Sequence, residues 1–113
     1  MMMDSAMSQK NWIDAHAHLQ DPRVNAFRDE WLAECARVGI QKHLLGGVDP
    51  EDWRLQHQIA SKYSGKMRAS FGLHPWWVAA HDDQECESAL TLLDEMLKAF
   101  VKDPRDDFRP WAI

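Results

Sequence analysis

Several features that assign a function quickly are scarce or missing in these 113 residues. There are only two cysteines, Cys35 and Cys86, at a spacing that matches no zinc motif, so we interpret them as reduced thiols of a cytoplasmic protein. No run approaches the ~20 apolar residues of a membrane span, and residues 1–10 lack a signal-peptide pattern. A net charge of −5 without long basic runs excludes a general attraction to nucleic acid, which leaves contacts at a local site or through metal ions.

The chain does contain a regular alternation of strand-like and helix-like segments, which follows a leader at residues 1–10 that we expect to be disordered. Apolar patterns predict strands at 12–19, 40–48 and 67–73, helices at 24–38, 51–63 and 85–101, and the start of a fourth strand at 110–113. This order predicts an α/β fold with a parallel sheet, either doubly wound or a (β/α) barrel of the TIM type. No Gly-x-Gly-x-x-Gly turn follows strand one, which argues against a dinucleotide-binding fold.

Histidines stand at the ends of the first and third predicted strands. His16 and His18 are two residues apart, so an extended strand points both to one side, with Asp14 below them on the same face. Two imidazoles placed in this way form half of a divalent-metal site, and a structural role is the alternative. His74 ends strand three. Because the carboxyl ends of parallel strands gather at one edge, where ligands bind, these histidines favour a barrel with a metal at its mouth.

Other conspicuous side chains have simpler interpretations. Asp49, before Pro50, is typical of a helix N-cap, although it also lies at a strand exit. We interpret His43, which enters strand two, as structural. Trp31 is expected in the core, and the doublet Trp76–Trp77 in a loop, where it either walls a pocket or packs on the last helix.

Three stretches carry motifs that together resemble the TatD-type metal-dependent hydrolases of the amidohydrolase superfamily. They are Ile13–Leu19, similar to the family's opening motif, Gly46–Pro50, similar to its second strand exit, and Phe71–Trp76, similar to its Gly-x-His-Pro element. The resemblance covers residues 11–113. It implies the N-terminal part of a TIM barrel that cleaves phosphodiesters, typically DNA.

The same resemblance implies a cofactor and site residues. One or two divalent metal ions (Zn, Mg or Mn) would be bound, with His16 and His18 ligating one of them, and His74 would contact the substrate. Family members are much longer, and their bridging Glu, later His and Asp ligands and water-activating Asp have no positions here, so no catalytic residue is assigned.

The expected extent of the fold is three βα units plus the start of strand four, which leaves sheet edges open. A chain with two histidines and no later ligands is expected to be incomplete and to lack hydrolytic activity of its own. The alternative is a non-enzymatic interaction or dimerisation module derived from such a barrel, in which open sheet edges support a homo-oligomer.

Overall fold

A parallel sheet forms the centre of the computed structural model, which describes residues 11–102. Its strands are β1 (Trp12–Ala17), β2 (Ile40–Gly46) and β3 (Met67–Ser70), in the order β1-β2-β3. The helices are α1 (Arg28–Arg37), α2 (Pro50–Lys62), α3 (Pro75–Ala80) and α4 (Asp83–Lys102), with a 3-10 turn at Pro22–Val24. This arrangement confirms the predicted α/β fold with βα units of the TIM-barrel type. The predicted leader and fourth strand lie outside the described residues.

Two aspartates begin helical segments, and one of them, Asp49, is the predicted cap. The Asp49 side chain accepts a 2.8 Å hydrogen bond from the backbone N–H of Asp52, and Pro50 occupies the first turn of α2. Asp21 accepts from the backbone N–H of Arg23 in the same way, but it caps the 3-10 turn and not α1. The single helix predicted over 24–38 is therefore divided into a 3-10 turn and a shorter α1.

The core consists of two apolar clusters on the sheet. One joins all three strands to α1 and α2, and the other joins β3 to α2 and α4. Their buried members are Ala17, Leu19, Leu32, Leu45, Ala60 and Met67 in the first and Trp53, Ala69, Phe71 and Leu93 in the second. The placement of Trp31 in the core was wrong, since its side chain is 51 % exposed. Helix α1 instead buries the stripe that contains Leu32 and Cys35.

The residues after β3 also differ from the prediction, because Trp76 and Trp77 lie on the short helix α3 and not in a loop. The side chain of His74 accepts a hydrogen bond from the backbone N–H of Trp76, and Pro75 fixes a helical φ at the first position. Among the helices that the structure describes, none combines the length and the apolar character that crossing a membrane requires.

Candidate functional site

Two histidine rings meet at the carboxyl end of β1. The strand ends at Ala17 and His18 follows directly, while His16 is its penultimate residue. The Nε2 atoms of the two rings are 3.1 Å apart, and the ring planes are nearly perpendicular, at 87°. The prediction that both imidazoles point to one side of a parallel strand is therefore confirmed in its geometry.

The end of the neighbouring strand β2 approaches both rings closely. A Cβ atom built at Gly46 would lie 3.3 Å from Cε1 of His16 and 3.3 Å from Cε1 of His18. Almost any side chain at this position would push on the two rings, so the absence of a side chain lets the backbone of β2 approach them. The backbone of β2 therefore lies close beside both imidazole rings, which β1 and the residue after it carry.

These histidines line a cavity of about 560 Å³ at the carboxyl edge of the sheet. Its walls come from the ends of β1 and β2 and the residues that follow them, from the 3-10 turn, from the first turn of α2, and from α3 with its N-cap residue. They comprise His16, His18, Gln20, Asp21, Arg23, Gly46, Gly47, Val48, Asp52, His74, Trp76 and Trp77. The cavity brings His74 together with the histidine pair, although His74 does not end a strand as predicted: β3 ends at Ser70, and His74 is the N-cap residue of α3. Its volume lies within the range of small-molecule sites, roughly 300–1,000 Å³.

Asp14 does not join this cavity, contrary to the prediction that it lies below the two histidines. The register between β1 and β2 is irregular from Asp14 to Ala17, which breaks the simple alternation of side chains along the strand. Asp14 lines a separate cavity with Trp12 and Ile13. Its carboxylate accepts a 3.1 Å hydrogen bond from the backbone N–H of His16.

A buried hydrogen-bond network behind the cavity was not anticipated from the sequence. Gln20 is 2 % exposed, and its Nε2 donates to the carbonyl of Gly46 at 2.9 Å and to both carboxylate oxygens of Asp52 at 3.0 and 3.2 Å. Asp52 also accepts from the backbone N–H of Val48 at 3.0 Å. The network ties the segment after His18 to the end of β2 and to the first turn of α2.

By formal charge, the acidic side chains that line the cavity outnumber its arginine. Hydrogen bonds from Arg23 lower the pKa of Asp21 to about 2. Burial raises the pKa of Asp52, against the hydrogen bonds from Gln20 and Val48, which lower it. Counted by formal charge, with the histidines neutral, two carboxylates face one guanidinium, which leaves an excess of one negative charge. Such a cavity attracts a cation and repels a bare phosphodiester.

The hydrogen bonding of His74 fixes which of its ring nitrogens carries the proton. Its Nδ1 accepts from the backbone N–H of Trp76 at 3.1 Å and therefore has no proton. The neutral ring then carries its proton on Nε2. Nε2 of His74 is consequently a hydrogen-bond donor, suited to an oxygen ligand, and lacks the lone pair that a metal ion requires.

The distance between the Nε2 atoms of His16 and His18 suits a divalent cation bound between them. Nitrogen ligands lie about 2.0–2.1 Å from Zn²⁺, so two of them at angles of 90–110° are roughly 2.9–3.4 Å apart. The observed 3.1 Å falls in this interval and also suits an N–H···N hydrogen bond between the rings. Within residues 11–102, no cluster of three or more His, Cys, Asp or Glu side chains has the geometry of a metal site. The described residues thus place two imidazole nitrogens at a spacing that a cation site would require.

A protein-family model and one related protein match this chain. A family model described as TatD related DNase matches residues 13–105. The Cut9-interacting protein scn1 of Schizosaccharomyces pombe is 35 % identical to this chain over 65 residues, a stretch that is 58 % of this chain and only 18 % of that protein. The family match contains His16, His18 and His74 and covers most of the chain. The chain therefore belongs to the TatD-related DNase family.

Proposed function

We propose that this chain carries the first part of a divalent-metal-dependent phosphodiesterase site of the DNase type. In this proposal His16 and His18 hold a divalent cation, and the Nε2–H of His74 donates a hydrogen bond to a phosphate oxygen of the substrate. The observation that carries it is the 3.1 Å separation of the two Nε2 atoms at the carboxyl edge of a parallel sheet. The chemistry that a bound divalent cation supplies is polarisation of the phosphoryl group and a lowered pKa of a water molecule.

The charge of the cavity supports an order of binding. Without a cation, the excess negative charge from Asp21, Arg23 and Asp52 opposes a phosphodiester. One divalent ion changes the local charge from −1 to about +1, which attracts a singly charged phosphodiester. We therefore expect substrate to bind the loaded site and not the empty one.

A zinc titration tests the proposed ligands. We expect the chain to bind Zn²⁺ in isothermal titration calorimetry. His16→Gln or His18→Gln should weaken that binding at least tenfold, because replacing even a residue that only hydrogen-bonds to a metal ligand costs about tenfold or more in metal affinity. His57→Gln is the matched control, because His57 packs on Phe100 outside the cavity. Equal affinity in all three variants, or no zinc binding by the unmodified chain, would contradict the ligand assignment.

We also expect the 113-residue chain to bind the ion without turning over a phosphodiester. The described residues offer two protein ligands, whereas catalytic zinc sites have three, and the stretch shared with scn1 is a small part of that protein. The measurement is release of nitrophenol from bis(nitrophenyl) phosphate in the presence of Zn²⁺, Mg²⁺ or Mn²⁺. Metal-dependent turnover that disappears in His16→Gln would refute the expected inactivity while supporting the site.

A second candidate function, self-association, is favoured by the first strand. β1 is an edge of the described sheet, and Trp12 and Ile13 on it are 57 % and 54 % exposed. Such an edge can pair with the same strand of a second copy. Analytical ultracentrifugation should then show a dimer that Ile13→Lys dissociates, and a monomer at all concentrations would exclude this candidate.

A further inference from the structure

One wall of the cavity is an almost fully exposed aromatic ring. The side chain of Trp76 is 82 % exposed, the largest value among the large hydrophobic residues that the structure describes. It belongs to α3 and lines the same cavity as the histidine pair. Unlike Trp53, which is fully buried, Trp76 contributes little to packing and presents its indole next to the site.

The neighbouring side chains hold the backbone of Trp76 in place while its ring stays open. Trp77 stacks on His81, with ring centroids 3.9 Å apart and planes at 18°, and Nδ1 of His81 hydrogen-bonds to the carbonyl of Trp77 at 2.6 Å. On the other side, the backbone N–H of Trp76 donates to His74, whose ring centroid lies 5.0 Å from that of Trp76. The two tryptophans thus have different roles, since Trp77 anchors α3 and Trp76 is left facing solvent.

We propose that Trp76 is a stacking platform for a nucleobase of the substrate. This rests on the proposed function, in which the phosphodiester belongs to a nucleic acid and one of its phosphates lies at His74. The base attached to that phosphate is then within reach of the adjoining indole. Any base has a π-face, so such stacking is tolerant of sequence, but it requires a base that is not stacked in a duplex. The ligand is therefore a single strand or an unpaired end.

The charge of the site favours a nucleotide over a purely apolar partner at this surface. Trp76 belongs to the exposed apolar helix α3, but it lines its cavity together with charged and polar groups, including Asp21, Arg23 and His74. An aromatic ring beside a phosphate donor and a cation site matches the two parts of a nucleotide, a flat base and an anionic phosphate.

Binding of oligonucleotides with and without bases tests this proposal. Fluorescence anisotropy is measured in Zn²⁺ with a labelled short oligothymidylate and with an abasic oligomer of the same length. The chain should bind the oligothymidylate more tightly, and Trp76→Ala should weaken that binding roughly 5- to 150-fold while leaving abasic binding unchanged. Trp76→Phe should retain most of the preference. Trp31→Ala is the control, because Trp31 is an exposed tryptophan as well, at 51 %, but lies on α1 outside the cavity.

The outcomes separate this proposal from the proposed function. If the unmodified chain binds both oligomers equally or binds neither, or if Trp76→Ala keeps the preference, stacking by Trp76 is wrong even when zinc still binds. If zinc fails to bind in calorimetry while the base-dependent preference persists without metal, the metal site is wrong and the stacking platform stands. If Trp76→Ala changes the sedimentation of the chain but not oligonucleotide binding, the exposed ring serves self-association and the proposal is overturned.

Discussion

Gly47 is the position at which a single methyl group should damage the fold most clearly. It lies directly after β2, against the side chain of Gln56, which is fully buried. Nε2 of Gln56 donates to the carbonyls of Leu45 and Ser70 at 2.8 and 2.9 Å and so joins the ends of β2 and β3. A Cβ at position 47 would lie 2.8 Å from Cδ of Gln56, closer still to its Oε1, and 2.9 Å from the backbone oxygen of Ser70.

The expected loss of stability follows from these contacts. A methyl group forced into a packed interior destabilises by roughly 1–3 kcal/mol, and displacement of Gln56 sacrifices two hydrogen bonds of roughly 0.5–1.5 kcal/mol each. Replacing glycine reduces the entropy of the unfolded chain, which offsets roughly 0.4–1 kcal/mol. We therefore expect Gly47→Ala to lower the free energy of unfolding by roughly 2–5 kcal/mol, a large part of the total for a small protein.

Equilibrium urea denaturation followed by circular dichroism measures this loss. Gly72→Ala is the matched control, because a Cβ there meets nothing within 4 Å and Gly72 has no positive φ. The control should be neutral or slightly more stable. Adding Gln56→Ala to Gly47→Ala should cost less than Gln56→Ala does alone, because Gln56 is already displaced in Gly47→Ala and its truncation removes the clash. A Gly47→Ala midpoint equal to that of Gly72→Ala would refute the reasoning.

Two further predictions concern the histidines. Gly46→Ala places a Cβ 3.3 Å from the rings of both His16 and His18. Because metal sites tolerate displacements of only about 0.5 Å, zinc affinity should fall several-fold while the urea midpoint changes little. Unchanged zinc affinity in calorimetry would contradict this. Burial lowers the pKa of His43 below its ordinary value of 6.5. His43 therefore takes up a proton more readily in the unfolded chain than in the folded one, and stability is lost as pH falls below 6.5. His43→Leu should lack this acid-dependent component in urea titrations at several pH values, and an identical pH slope in both proteins would exclude it.

Much of the element order follows from local sequence signals. Strand β1 and the cap at Asp49 depend on residues within a few positions of one another, and such signals could be interpreted without knowledge of the fold. The shared orientation of His16 and His18 has the same origin, since it requires only an extended backbone. These are the features that the sequence analysis placed correctly.

Other features depend on contacts between distant segments and could not be predicted. Periodicity identifies apolar stripes on a helix but does not say which stripe faces the sheet, so Trp31 was assigned to the core although Leu32 occupies it. The bonds of Gln20 to Gly46 and Asp52 span 26 and 32 residues and depend on the register of β1 and β2. A glutamine after a strand and an aspartate in the first turn of a helix carry no local signal of such a role.

The central claim is that the rings of His16 and His18 share one divalent cation. The most direct test is an anomalous difference map from crystals of the chain soaked in Zn²⁺, recorded at the zinc absorption edge. We expect a peak about 2.0–2.1 Å from Nε2 of both rings. A map with no peak there, and with the two rings still 3.1 Å apart and hydrogen-bonded to each other, would contradict it.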